Sequence, residues 1–357
     1  MLSRLEISRL KSIRHFSFDL APLVLLTGLN SSGKSTMLQG LRMLFNCIHQ
    51  KPISLEGHGT FKDLFFSSSL DEGEDKAPDG IFLAVHSSES KSASFTWRKE
   101  HIEVAPQAQL LDNYNFHVLS ADRQGPVPFF TKHAMKGSEG GYFPGAKGEY
   151  VYACLQLFGD DQLPATLWHP SNPGHTLRHN VNAWLSEVVA EASIALEQTP
   201  DSLDVASITF DGYRQVNVGF GESYTLSVVV ALLAASAWIH NHSEHKCKNV
   251  VLAIENPEAH LHARGQTVMG KLLALVAKSG VQIIVETHSE YIIDGVRLAI
   301  KEKLGDIECD DAVLYFFEKR LAASIIEKIT FDKAGRLSSW LPGFFDQSRK
   351  NKAKLLG

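Results

Sequence analysis

Apolar and polar residues alternate at the start of the chain. Leu5, Ile7, Leu10 and Ile13, then Phe16, Phe18 and Leu20, are interspersed with polar residues, which predicts one or two short strands. The run Pro22 to Leu26 is continuously apolar and predicts a strand buried on both faces. A glycine-bearing turn follows, and residues 37–45 place Met37, Leu38, Leu41, Leu44 and Phe45 at helical spacing. Residues 51–80, rich in Gly, Ser, Asp and Pro, read as loop. Alternation returns from Ile81 to Trp97, which predicts an antiparallel hairpin, and Phe116 to Ser120 is a further short strand. Residues 121–176 carry many glycines and prolines and read as an irregular insertion. From Asn180 to Gln198, Val181, Trp184, Leu185, Val188, Val189, Ala192 and Leu196 share one helical face.

A second alternation of strands and helices closes the chain. Val250 to Glu255 reads as strand, Gly265 to Ser279 as helix, Val281 to Glu286 as strand and Tyr291 to Lys303 as helix. Ala312 to Glu318 and Ser324 to Phe331 are the last two strands. No stretch carries a sustained heptad, so no long coiled-coil arm is expected.

Composition narrows this picture. At 357 residues, 44% hydrophobic and 21% charged, with mean hydropathy −0.08, the chain has enough apolar side chains for a large core and is not of the disordered class. Its longest nearly apolar run, Leu226 to Ile239, is 14 residues, short of the ~20 that span a bilayer. The N-terminal residues lack the apolar core of a signal peptide, and no membrane association is expected. Cys47, Cys154, Cys247 and Cys309 form no CxxC pair, which argues against a disulfide framework or a four-cysteine zinc site and suits a reducing, cytoplasmic setting. His240, His242, His245 and Cys247 match no zinc spacing and read as a polar loop. A net charge of −5 gives no overall nucleic-acid footprint, although Arg4, Arg9, Lys11, Arg14 and His15 lend the N-terminal hairpin a basic side.

Three segments carry chemistry. Gly28-Leu29-Asn30-Ser31-Ser32-Gly33-Lys34-Ser35 fits GxxxxGK[ST] in full, after a predicted buried strand and at the opening of a predicted helix that continues with Thr36. Such a loop curls its N–H groups around a phosphate chain at the positive end of the helix. Lys34 supplies the counter-charge, and the Ser35 hydroxyl is a Mg²⁺ ligand. The apolar strand ending at Glu255, in VVLAIENPEAHLH, offers a carboxylate for the same ion 221 positions after Lys34, so a large insertion separates the two. The strand VQIIVE then ends in Thr287-His288-Ser289, where an imidazole can bond a γ-phosphate or the attacking water. Arg123, in SADRQGP after a strand, fits a phosphate ligand or an Asp–Arg pair equally well.

Together GLNSSGKST, IENPEAHLH and VETHSEYII resemble the ABC-type ATPase heads of the SMC, RecF and OLD group. The closest likeness is to compact OLD-like ATPases of bacterial defence systems, a branch that the tail from Trp340 to Asp346 also resembles. The resemblance implies an α/β P-loop NTPase fold with a mixed sheet, an antiparallel β-lobe and a helical or irregular insertion. The expected layout is one head over residues 1–357, with the phosphate loop and antiparallel lobe in 1–120, the insertion in 121–205, and the signature, acidic strand, switch histidine and last strands in 206–357. It implies ATP and Mg²⁺ as cofactors and two copies of the chain, as a homodimer or within a higher oligomer, sandwiching ATP. The best match to the signature is Asn217-Val-Gly-Phe-Gly-Glu-Ser-Tyr-Thr-Leu226, with Ser223 at a helix N-terminus.

Two departures stand out. The second carboxylate common in these families is here Asn256, which orients water but cannot take its proton, and Glu258 and His288 are the candidate substitutes. A proline commonly follows the second histidine, where this chain has Ala263. The expected catalytic set is therefore Lys34, Glu255, Asn256 and His288.

Two functions follow from the resemblance. One is an ATPase whose head pairing drives a separate effector, a nuclease or other toxin, or a DNA transaction, in antiphage defence or DNA maintenance. The other is a nucleotide-gated scaffold with little hydrolysis. With 69 residues after His288, no built-in nuclease is expected in this stretch. A transporter subunit fits poorly, because an LSGGQ-type signature is missing.

Overall fold

The computed structural model describes residues 1–53, 57–66, 80–99, 101–105, 111, 113–133, 142–200, 202–242, 244, 249–340 and 347–355. In chain order the elements begin with β1 (Leu2–Leu10), β2 (Ile13–Asp19), β3 (Leu23–Gly28), α1 (Lys34–Ile48), the one-turn α2 (Phe61–Leu64), β4 (Ile81–Ser87), β5 (Ser92–Trp97), β6 (Ile102–Val104) and β7 (Tyr114–Leu119). They continue with β8 (Phe130–Thr131), α3 (Val151–Phe158), α4 (Leu177–Val189), β9 (Ile194–Glu197), β10 (Val205–Phe210), β11 (Tyr213–Arg214) and α5 (Phe220–Asn241). The last are β12 (Asn249–Glu255), α6 (Ala263–Lys278), β13 (Gln282–Glu286), α7 (Glu290–Glu302), β14 (Ala312–Arg320), β15 (Ala323–Thr330) and α8 (Gln347–Leu355). They fall into two compact units, one of Met1–Asp112, Ala312–Asp332 and Arg336–Gly357, the other of Asn113–Asp311 with Lys333–Gly335.

In the first unit, β2-β1-β4-β5-β6 form an antiparallel sheet in which Ile7 faces Phe16 on one side and Leu83 on the other. Leu5, Ile7, Leu83, Val85 and Phe95 are buried, as period-two alternation requires of a sheet with one covered face. Helix α1 comes close to that face at Gly40, beside Ile7, Leu10 and Leu83. A second ladder is mixed: β3 pairs in parallel with β14, which pairs antiparallel with β15. Tyr315 of β14 donates its hydroxyl to Asp19 O at 2.9 Å and meets Phe18 edge-on.

In the second unit, β12 pairs in parallel with both β13 and β7. Val251 to Ile254 and Ile283 to Val285 are wholly buried, which is why both segments read as continuous apolar runs. Helix α5 is long and apolar enough to cross a membrane, yet it is mostly buried within the protein, so its composition reflects a core position. Helices α6 and α7 meet at Gly270 and Gly295, where a side chain on either would run into the other helix's backbone.

Three expectations change. The helix predicted from Asn180 to Gln198 is α4, which starts at Leu177 and ends at Val189, where Ala190 and Glu191 turn left-handed at φ 66° and 71°. Leu196 then pairs with Ile208 in the β9–β10 ladder, so the 3.6-residue spacing of Ala192 and Leu196 was coincidental and cross-strand bonds decided the segment. Residues 121–176 are not wholly irregular, for the apolar Val151–Leu155 forms the buried face of α3. Residues 61–64 make one helical turn inside the predicted loop, closed by a Thr60–Asp63 capping box.

Candidate functional site

The phosphate loop is built in the first unit, between β3 and α1. Gly28 has φ 135° and Gly33 φ 109°, and Ser31 between them is left-handed at φ 58°. A β-carbon on Gly28 would stand 2.0 Å from Phe317 O, and one on Gly33 would stand 2.3 Å from Ser324 Oγ. Glycine is thus required at both positions by conformation and by space. Within the loop Ser32 donates its hydroxyl to Leu29 O at 2.7 Å. From behind, Ser324 Oγ bonds Ser32 O at 2.6 Å and Ser12 Oγ at 2.8 Å. Ser12 and Ser324 brace the loop although they stand far from it in sequence, and no local pattern marks them.

Lys34, the first residue of α1, is buried, and its ammonium donates to Gly28 O at 3.1 Å and Leu29 O at 2.8 Å. Its charge thus lies against the curl of the loop. Leu29, Asn30, Ser31 and Ser35 are exposed, and Ser32 and Thr36 are buried. The first turn of α1 contains no acidic residue, so nothing offsets the positive helix end. Two glycines that tolerate no side chain, a lysine at the helix start and an exposed Ser35 fit a Mg²⁺-bound polyphosphate.

The second unit gathers Glu255, Asn256, Glu258, Thr287 and His288 at the carboxyl ends of β12 and β13. Glu255 accepts bonds from Ala121 N at 2.9 Å and Ser120 Oγ at 3.5 Å. Asn256 is left-handed at φ 46° and donates its N–H to Glu286 O at 2.8 Å, while its buried side-chain oxygen has no hydrogen-bond partner among the described residues. Glu258 grips the end of β13, accepting from His288 N at 2.7 Å and Thr287 Oγ1 at 2.9 Å. Burial holds the Glu258 carboxyl above its ordinary value of 4.5, against the pull of those two bonds. His288 is exposed, and Ser289 caps α7 through the N–H groups of Tyr291 and Ile292.

Arg123 does not form the Asp–Arg pair expected as one of its two readings. Asp122 bonds Lys147 instead, and the Arg123 side chain is buried under the end of β12. It donates through Nη1 to Ser120 O at 3.0 Å and Glu255 O at 2.6 Å, and through Nη2 to Asn256 O at 2.6 Å. Its guanidinium carbon lies 5.4 Å from the ring centre of Tyr224. Burial pulls its pKa down to about 10, opposed by the charges of Glu258 and Glu255, so it stays charged at neutral pH.

Ser223 lies in the first turn of α5, whose N-cap is Gly219. It is 3% exposed, and its hydroxyl has no partner among the described residues. Gly221 and Glu222 line a cleft of about 550 Å³ with His260, His262 and the start of α6.

The basic side of the N-terminal hairpin is engaged locally. Arg4 pairs with Asp19 at 3.6 Å, Lys11 bonds Gln39 at 3.1 Å and His15 bonds Ser8 at 2.7 Å. Among the described residues no group of three His, Cys, Asp or Glu side chains could hold a metal. In the histidine loop, His242 bonds Asp161 at 3.2 Å, while Ser243 and residues 245–248 lie outside the described residues, as does the tail segment 341–346.

Residues 214–293 match the AAA ATPase domain family, and residues 307–355 match a family described as a protein of unknown function, DUF3696. The first stretch contains Ser223, Glu255, Asn256 and His288. No curated protein matches the sequence. Among solved structures, the Smc head bound to the C-winged helix domain of ScpA is similar at 14% identity and a TM-score of 0.50, over 93% of this chain and 98% of that one. The SMC head domain from Thermotoga maritima aligns at 11% identity and 0.49, over 91% of this chain and 98% of that one. The recombination mediator RecF with ATP aligns at 11% and 0.46, over 92% and 99%. The chain has the α/β P-loop NTPase fold of an SMC-type ABC-ATPase head.

Proposed function

We propose that this protein binds and hydrolyses Mg-ATP, and that ATP-dependent pairing of two copies gates a separate effector or a DNA transaction in antiphage defence or DNA maintenance, in the cytoplasm. The observation that carries the reading is the loop from Gly28 to Ser35, whose two glycines admit no side chain and whose lysine opens a helix with no acidic first turn. Lys34 and the loop amides from Gly28 to Thr36 hold the phosphates. Ser35 and Glu255 hold Mg²⁺, which when bound supplies charge neutralisation at the transferring phosphoryl group. Asn256 and His288 orient the attacking water. The segment that opens α5, in which Ser223 is buried, receives the nucleotide of the second copy.

The experiment is calorimetric titration of Mg-ATP together with steady-state phosphate release. Wild type is expected to bind and turn over, and Lys34→Ala to lose affinity by at least tenfold, because phosphate loses a charged donor worth about 1.5–3 kcal/mol. Absence of binding to wild type overturns the reading. One observation favours a second reading, a nucleotide-gated scaffold. Asn256 stands where related heads have a carboxylate, so hydrolysis too slow to measure, restored by Asn256→Glu, selects the scaffold.

A further inference from the structure

The Arg123 side chain touches three elements of the second unit at once. Its guanidinium bonds the main-chain oxygens of Glu255 and Asn256, the last residue of β12 and the one after it. The same group closes back on Ser120 O, and the N–H of the neighbouring Ala121 holds the Glu255 carboxylate. Residues 120–123 thereby fix both the backbone and the side chain of the acidic strand end. The other face of the guanidinium lies over Tyr224, next to Ser223 in the opening turns of α5.

These contacts do more than fill space. A buried cation is costly to fold, and an aliphatic side chain would pack the same volume more cheaply. The cost is met only where a planar fork must address several acceptors in fixed directions, which lysine's single ammonium cannot do. The acceptors belong to Glu255 and to Asn256, a non-glycine residue held left-handed at φ 46°. A rotation of Tyr224 with α5 would shift the ring on which Arg123 rests, and the two main-chain bonds of Arg123 would carry that shift to Glu255 and Asn256.

We propose that Arg123 is a positioning residue that couples the opening turns of α5 to the orientation of Glu255 and Asn256, so that engagement of the signature segment sets the rate of the chemical step. This rests on the proposed ATPase reading. It predicts that losing Arg123 lowers kcat while leaving nucleotide affinity, which the phosphate loop supplies, nearly intact.

The test measures Mg-ATP affinity by calorimetry and kcat by phosphate release for wild type, Arg123→Lys, Arg123→Ala and Tyr224→Leu. Arg123→Lys is expected to lower kcat at least tenfold with affinity within threefold. Tyr224→Leu should lower kcat severalfold, and the double variant Arg123→Lys with Tyr224→Leu no further than Arg123→Lys alone. Added guanidinium at tens of millimolar should restore part of the kcat of Arg123→Ala, which a general loss of folding would not allow. Should Arg123→Ala fail to fold, Tyr224→Leu and its double variant carry the test. A wild type that binds Mg-ATP without turnover overturns the coupling. So does an Arg123→Lys protein within twofold of wild-type kcat, or strict additivity of the two substitutions. A wild type that does not bind Mg-ATP overturns the ATPase reading itself, a different outcome.

Discussion

Replacing Gly28 by alanine tests the construction of the phosphate loop. Gly28 is the last residue of β3, at φ 135°, opposite Phe317 of β14. The new β-carbon would lie 2.0 Å from Phe317 O, 2.9 Å from its carbonyl carbon and 3.0 Å from its nitrogen. A carbon and an oxygen approach no closer than about 3.2 Å without repulsion, so the strands must part by roughly 1 Å. All three obstructing atoms are backbone, and no rotamer relieves the contact. Breaking one or two ladder bonds costs about 1 kcal/mol each, and holding alanine in a conformation reserved for glycine adds about 1–3 kcal/mol. The sum is about 2–5 kcal/mol. With an unfolding entropy of about 2.1 cal/mol/K per residue over 357 residues, the melting temperature should fall by roughly 3–7 °C. Circular dichroism melts and Mg-ATP calorimetry on the same preparation give the answer. Melting within 1 °C of wild type together with unchanged affinity would refute the claim that backbone crowding dictates glycine there.

Other expectations concern the second unit. Ser289→Ala removes the cap that accepts two N–H bonds at the start of α7 and should destabilise the protein by about 1 kcal/mol in urea titrations; no change in midpoint would show the cap is dispensable. Because burial holds the Glu258 carboxyl above 4.5, the folded protein keeps a proton that the unfolded chain releases, so its share of stability falls as pH rises from 4.5 through the raised value. Urea midpoints from pH 4 to 8 should therefore decline more steeply for wild type than for Glu258→Gln, and the opposite slope would contradict the assignment. Ser223→Arg, at a position 3% exposed, should abolish ATP-induced pairing in light scattering, and unchanged pairing would remove this segment from the interface.

How much of the site can be read along the chain depends on how local its parts are. Gly28, Gly33, Lys34 and Ser35 occupy one turn with a strict spacing, and their roles follow from backbone curvature and helix polarity within eight residues. Glu255 and His288 were legible because one ends a buried parallel strand and the other follows such a strand by two residues, and these strands read as unbroken apolar runs. The braces of the loop, Ser12 and Ser324, were not legible, since the bonds they make span 292 and 312 positions. Arg123 could be singled out, yet its partners could not. Main-chain oxygens have no residue identity, and burial under the end of β12 gave Arg123 those oxygens in place of Asp122.

The sequence by itself therefore determined the class of fold, the order of strands and helices around the loop, and the candidate residues for phosphate chemistry, because those signals lie in spacing and in contiguous runs of hydrophobicity. Tertiary structure alone decided where α4 stops, that Leu196 joins a sheet, that Glu258 clamps Thr287 and His288, and that the Ser223 hydroxyl turns inward. Each of these outcomes weighs a local preference against hydrogen bonds and burial offered by distant segments, and a linear pattern contains only the first of the two.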